Sequence, residues 1–330
     1  MKDRNGYFDF LRGIAIIMVV GIHTQPEING FSSLADTAAV LVRLFLNCAV
    51  PLFLAISGWF LAPRQLQSKQ DIVKFYKKRF PRVYIPLLIW GLGWFAVNLW
   101  NEPTEWGAIK NLIMLLTGGF SVYYFVSLII QCYLITPLLS RHYKSGIFIC
   151  AVMSAIAISA TSWLINIEGH SFPLLLYAGP VYVWIIFYMM GIWLRKNEHK
   201  DYFSFGLILA LLGFIMQIVE YSWYLNINGG GLGIKLSSFI FSAGIILILV
   251  SHKMERFYRN NRATRVVAWI GEISFGVYFL HVYCISFLGN LLGPQPWIVT
   301  WSYILALSIV IIWMVKKVFP KKFTHKFLGF

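Results

Sequence analysis

Three residues near the start of the chain, Asp9, Arg12 and His23, have the types and the spacing for chemistry. Asp9 and Arg12 are three apart, so on a helix their side chains meet on one face. Arg12 and His23 are eleven apart, which is three helical turns and returns His23 to that face, about 16 Å further along the axis. A guanidinium at one level would hold an anionic group by forked hydrogen bonds. An imidazole at the other level could serve as a general base or as a nucleophile that carries an acyl group. The same spacing also describes a snorkelling arginine and a histidine hydrogen-bonded inside a helix bundle.

A second cationic element is Lys77-Lys78-Arg79-Phe80-Pro81-Arg82. Arg79 and Arg82 are three apart and could clamp phosphate groups, or simply flank a membrane span and meet lipid headgroups. Pro81 predicts a helix start, where its missing donor costs nothing. Four more ionisable residues interrupt apolar runs: Arg43, Glu220, Glu272 and His281. Arg43 and Glu220 are expected near the outer membrane face, where they could pair or touch a substrate. Glu272 is expected at the start of a span, where a carboxylate favours the helix dipole. His281 fits either a supporting role at the site or a core position. Ser57 reads as a helix-contact residue, since it lacks the Gly-x-Ser-x-Gly setting of a nucleophile elbow.

The elements that position these residues are set by composition. The chain has 330 residues, 58% hydrophobic and 12% charged, with a mean hydropathy of +0.69. Average soluble domains are nearer a quarter charged, so an ordinary soluble enzyme, a disordered chain and a secreted disulfide scaffold are all excluded. Apolar runs predict an all-α, polytopic membrane bundle of about ten spans, at 8–25, 38–62, 83–100, 121–140, 146–166, 174–194, 203–224, 233–251, 267–289 and 297–316. The segment 103–119 is too short to span, and 69–82 reads as a separate amphipathic helix on the membrane surface.

Basic residues sort by loop. Of the 28 Lys and Arg, 25 fall on one side, among them Lys2, Arg4, Arg64 and Lys253. Only Lys110 and Lys235 fall on the other side, and Arg43 lies within a span. This asymmetry predicts cytoplasmic termini and accounts for the net charge of +15 without nucleic acid. The first span, basic at its start and broken by His23, reads as an uncleaved helix rather than a signal peptide. Cys48, Cys132, Cys150 and Cys284 all fall in spans and form neither a zinc pattern nor a disulfide framework, so no metal site is expected. Gly229-Gly230-Gly231 reads as a turn on the side opposite the cations. The extracytoplasmic loops are short, and 1–330 is expected to be a single membrane domain with no soluble second domain.

Four segments together carry a family resemblance. They are Tyr7-Phe8-Asp9-Phe10-Leu11-Arg12-Gly13-Ile14-Ala15 with His23, Val50-Pro51-Leu52-Phe53-Leu54-Ala55-Ile56-Ser57-Gly58, Arg79-Phe80-Pro81-Arg82, and Gly271-Glu272-Ile273-Ser274-Phe275-Gly276-Val277-Tyr278-Phe279-Leu280-His281. In this order they resemble the acyltransferase-3 family of bacterial integral membrane proteins. Tyr123-Tyr124-Phe125 departs from the family, many of whose members have a Trp-containing segment there.

The resemblance implies transfer of an acyl group, usually acetyl from acetyl-CoA, to a hydroxyl of a surface glycan or a lipid-linked precursor in the bacterial inner membrane. On that implication Arg79 and Arg82 hold the CoA phosphates, Asp9 orients Arg12, and the thioester approaches His23. Whether His23 acts as base or acyl carrier stays open. Membrane lipids are the surrounding partner. A transporter or exporter of a glycan or small polar metabolite is the competing class, marked by related halves with broken midplane helices, and no internal repeat is seen. A membrane sensor or scaffold would leave the Arg-x-x-Arg element and the Arg12–His23 face unexplained.

Overall fold

The computed structural model describes residues 6–28, 30–62, 66, 68–228, 231–293 and 295–330. Lys2, Arg4, Arg64, Gly229 and Gly230, and the side chain of Lys253, lie outside what is described. The described residues form helices and no strand. In chain order these are α1 (Gly6–His23), α2 (Leu34–Leu46), α3 (Ala49–Leu61), α4 (Lys69–Asn101), α5 (Glu105–Thr117), α6 (Tyr124–Arg141), α7 (Tyr143–Ser162), α8 (Leu174–Tyr177), α9 (Val181–Lys196), α10 (Phe203–Asn228), α11 (Leu236–Leu249), α12 (His252–Phe257), α13 (Arg262–Glu272), α14 (Ser274–Leu292), α15 (Trp297–Val318) and α16 (Lys321–Phe323).

All ten predicted apolar segments contain helix, but they are not ten equal spans. Among the described residues seven helices are long and apolar enough to cross a membrane, counting α2 with α3 as one. An eighth forms if α13 and α14, bent by 76°, are taken together. The remaining two are shorter than their sequence runs. Helix α9 has 16 residues and α11 has 14, about 24 and 21 Å long against a hydrocarbon core of roughly 30 Å. Pro180 precedes α9 and Lys235 caps α11, which cuts both segments short at their N-terminal ends.

The expected break before Arg82 is absent. Helix α4 runs unbroken for 33 residues, with Pro81 and Pro86 inside it. Its start is set instead by a capping box: the Ser68 hydroxyl accepts from the Asp71 amide at 3.0 Å, and the Asp71 carboxylate accepts from Ser68. Arg79 and Arg82 therefore stand mid-helix. The short segment 103–119 does form a separate helix, α5, capped by the Thr104 side chain and ended by Gly118 in the left-handed region.

Helix α1 lies at the centre and packs against α2, α3, α13, α14 and α15. Its crossing with α13 is backbone on backbone. A Cβ on Gly13 would lie 2.0 Å from the Val267 carbonyl oxygen, and one on Gly271 would lie 1.8 Å from that of Asp9. Gly58 and Gly191 make a similar crossing between α3 and α9. With lipid outside as apolar as the helices themselves, close approach of small residues replaces the hydrophobic driving force.

Gly13→Ala is therefore expected to destabilise the bundle by about 2 kcal/mol or more, the scale of forced overpacking. Thermal unfolding of the protein in detergent would check this. An unchanged midpoint would mean that the helices separate freely at that point.

Candidate active site

The His23 end of α1 is held by α15. The Trp301 indole donates to the Ile17 carbonyl at 2.8 Å, and the Trp297 indole donates to that of Gly21 at 3.0 Å. The Thr24 hydroxyl closes the helix end by donating to the Val20 carbonyl at 3.0 Å. At the other end, Asp9 is buried and Arg12 donates to it at 2.7 Å, the pair expected from the three-residue spacing. The guanidinium also stacks over Phe60, 4.9 Å from its ring centre.

Arg12 and His23 line one cavity of about 170 Å³. Ser57, Tyr124, Tyr133 and Tyr278 line it too, so three of the four sequence segments contribute wall. The fourth, Arg79–Arg82, stands at its Arg12 end. Phe80 stacks on Tyr133, and the charges of Arg79, Arg12 and Arg82 all act on that phenol. Two helices thus bring three guanidinium groups around one tyrosine at one end of the bundle. Arg79 keeps a buried Nε with no hydrogen-bond partner among the described residues.

His23 borders two further cavities. One, of about 180 Å³, carries Thr24, Gln25, Gln295, Thr300 and Tyr303. The other, of about 80 Å³, carries Arg43, Asn47, Ser238 and Ser242. The imidazole is thus the shared wall of three compartments.

His281 lies beside it. The two rings are 5.3 Å apart between centres, although 258 residues separate them in the chain. His281 is fully buried, and its Nδ1 lies 3.1 Å from the Val277 carbonyl. A carbonyl only accepts, so Nδ1 carries the hydrogen. Its Nε2 then presents a lone pair, which has no partner among the described residues.

Other expected residues fall elsewhere. Glu272 is exposed and does not line the Arg12–His23 cavity; Ser274 does. It ends α13 rather than starting a span, because the chain bends at Ile273 before α14 begins. Arg43 and Glu220 do not pair. Glu220 accepts from Tyr224 at 2.9 Å and from the hydroxyl and amide of Ser237, whereas Arg43, among the described residues, donates only to Asn47, four residues on. Lys235, assigned with Lys110 to the side opposite the other cations, is fully buried, and its ammonium donates to the Gly231 carbonyl.

Several site residues carry little signal in the sequence and are not singled out there. Tyr133 is an uncharged member of an apolar run, and Asn47 marks the α2–α3 break inside another; Gln217, which accepts from Asn47 at 2.8 Å, lies behind the cavity wall. Tyr124 and Phe125 fall in the segment that departs from the family pattern, and both line the Arg12–His23 cavity. The turn that carries them is tied to α14: Tyr278 donates to the Val122 carbonyl at 2.6 Å, and Tyr123 to that of Phe279 at 3.0 Å.

The Asp9–Arg12 pair generates a stability test. Asp9→Asn, Arg12→Gln and the double variant are expected to show a coupling of about 1–2 kcal/mol in thermal unfolding, as for a charge-assisted hydrogen bond with one buried partner. Additive effects would mean that the two side chains are held independently.

No curated protein and no solved structure matches the chain. A family model does, that of the acyltransferase domain called acyltransferase 3, over residues 5–316. With its apolar helices and a match across nearly its whole length, the chain belongs to the acyltransferase-3 family and is a multi-pass membrane protein.

Proposed function

We propose that this protein is an O-acyltransferase of the bacterial inner membrane. It would move an acyl group, acetyl in the first instance, from cytoplasmic acyl-CoA to a hydroxyl of a surface glycan or its lipid-linked precursor. The observation that carries the reading is the position of His23 as common wall of the three cavities. A donor entering from the arginine end and an acceptor entering from the other side would meet at one imidazole.

The loop charge asymmetry supports a cytoplasmic arginine end. There Arg79, Arg82 and Arg12 would take the phosphates of the CoA nucleotide. The narrow, largely apolar cavity above suits the uncharged pantetheine arm, with the thioester at its top. His281 would act as a positioning residue: its Nε2 lone pair, without a partner among the described residues and on a ring 5.3 Å from that of His23, could take the N–H of His23 after a small ring rotation and leave the other His23 nitrogen free as a base. In the base route, His23 removes the acceptor hydroxyl proton as that oxygen attacks the thioester carbon. The tetrahedral intermediate expels the CoA thiolate, and the proton held on His23 passes to the sulfur. In the acyl-carrier route, the free nitrogen attacks the thioester carbon and expels the CoA thiolate; the acceptor hydroxyl oxygen then attacks the acyl-imidazolium carbon, the imidazole leaves, and the hydroxyl proton passes to the thiolate sulfur.

Membranes containing the protein, given acetyl-labelled CoA and the host's glycan precursors, test this directly. Label is expected in glycan with the wild type and to fall by about 10²–10⁴-fold with His23→Ala at equal abundance. His281→Gln is expected to lower kcat while leaving the KM for acetyl-CoA near its starting value. Arg79→Gln with Arg82→Gln should raise that KM by about tenfold or more. Glycan movement without label in it would instead identify a transporter.

A further inference from the structure

Acyl transfer at His23 leaves the smallest of the three cavities without a role, and the polar groups of that cavity are unbalanced in one direction. Arg43 lines it, is 9% exposed, and sits where the broken α2–α3 span passes through the bundle. Its Nη1 donates to the Asn47 side-chain oxygen. Asn47 in turn donates to the Gln217 oxygen at 2.8 Å and to the Leu232 carbonyl at 3.0 Å. This chain fixes both amides with their oxygens occupied, and what it leaves over is donors. Arg43 Nε and, behind the cavity wall, Gln217 Nε2 are both buried without a partner among the described residues, and no carboxylate among them stands within ion-pair distance of Arg43.

The surrounding charge does not offset that of Arg43. Buried Lys235 lies within electrostatic reach of Arg43, and Glu220, the carboxylate in that cluster, is engaged by Ser237 and Tyr224. A guanidinium taken out of water with one hydrogen bond and no counter-ion is costly unless a ligand supplies the acceptors. Nε and Nη2 lie side by side on the edge that Asn47 leaves open, which matches the two oxygens of a carboxylate.

We infer that this cavity is an acceptor subsite for an anionic sugar, with Arg43 holding a carboxylate of the same or the adjoining residue whose hydroxyl reaches His23. The inference rests on the acyl-transfer reading and narrows it to an acidic glycan. The volume, about 80 Å³, suits a carboxylate with part of a sugar ring. Burial of Arg43 favours this over the phosphate of a lipid-linked precursor, whose hydrocarbon chains would need an opening to lipid. His23 borders the cavity, so the anion would lie within one sugar residue of the reacting oxygen.

The test uses the purified full chain in detergent, with methyl glucuronoside, methyl glucoside and glucose 1-phosphate as probes. Methyl glucuronoside is expected to raise the unfolding temperature of the wild type, and methyl glucoside to do so far less. Arg43→Gln removes an uncompensated buried charge and is expected to fold; it should abolish the difference. The wild-type comparison of acid with neutral probe needs no variant. Equal stabilisation by both glycosides, none by either, or a glucuronoside effect that survives Arg43→Gln would overturn the subsite. Stabilisation by glucose 1-phosphate alone would overturn the carboxylate assignment and give the site to a phosphate. In the same preparation, acidic acceptors should be acetylated about tenfold or more better than their carboxyl-reduced forms. Arg43-dependent binding of the acid without any acetyl transfer would remove the acyl-transfer reading and leave the anion site standing.

Discussion

Everything at the site depends on how closely α1 can lie against its neighbours. A bilayer gives helices no hydrophobic reason to associate, so what holds them is contact at short range and the few polar bonds they share. Gly13 and Gly271 let two backbones touch, at the carbonyls of Val267 and Asp9 respectively. The residue that steadies Arg12 is thus itself clamped by α13. Two indoles from α15 then fix the other end of the helix through its carbonyl groups. Between these two anchors the face that carries Arg12 and His23 is left free to line a cavity.

That arrangement separates the work of holding from the work of reacting. The carboxylate of Asp9 is buried away from the cavity and engaged with Arg12. His281 is likewise set back, one nitrogen committed to a backbone carbonyl and the other presenting a lone pair. The groups that border open space are those with capacity left over: guanidinium donors at one end, one imidazole in the middle, hydroxyls and amides beyond it. A membrane interior tolerates such groups where they line a cavity or meet one another.

Much of this is legible in the sequence because helical periodicity is local. The spacing of Asp9, Arg12 and His23 is enough to put them on a common face, and the hydropathy runs are enough to give an all-helical bundle. What depends on long-range packing is not legible. Nothing within α1 says that a histidine 258 residues away will lie against His23. Pro81 favours a helix start by its own propensity, yet Ser68 and Asp71 set the start at Lys69, twelve residues earlier. The charge of Lys235 argues for a solvated loop, yet the fold buries it beside a carbonyl. Neutral amides barely disturb a hydropathy average, so Asn47 and Gln217 pass unmarked in their runs, although the bundle joins them in a single chain of bonds from Arg43.

The three cavities that share His23 as a wall have an electrical consequence. Across a solid bundle the membrane potential falls over the whole hydrocarbon thickness, roughly 30 Å. Where water fills hollows on both sides of one side chain, most of that fall is compressed into the thin partition between them. A unit charge carried across the full potential is worth about 2.3 kcal/mol per 100 mV. A proton gained at His23 from one hollow and released into another would cross much of that drop in a single short step. On the acyl-transfer reading, and with the hollows open to opposite faces, the energised membrane would then act on the imidazole as a voltage.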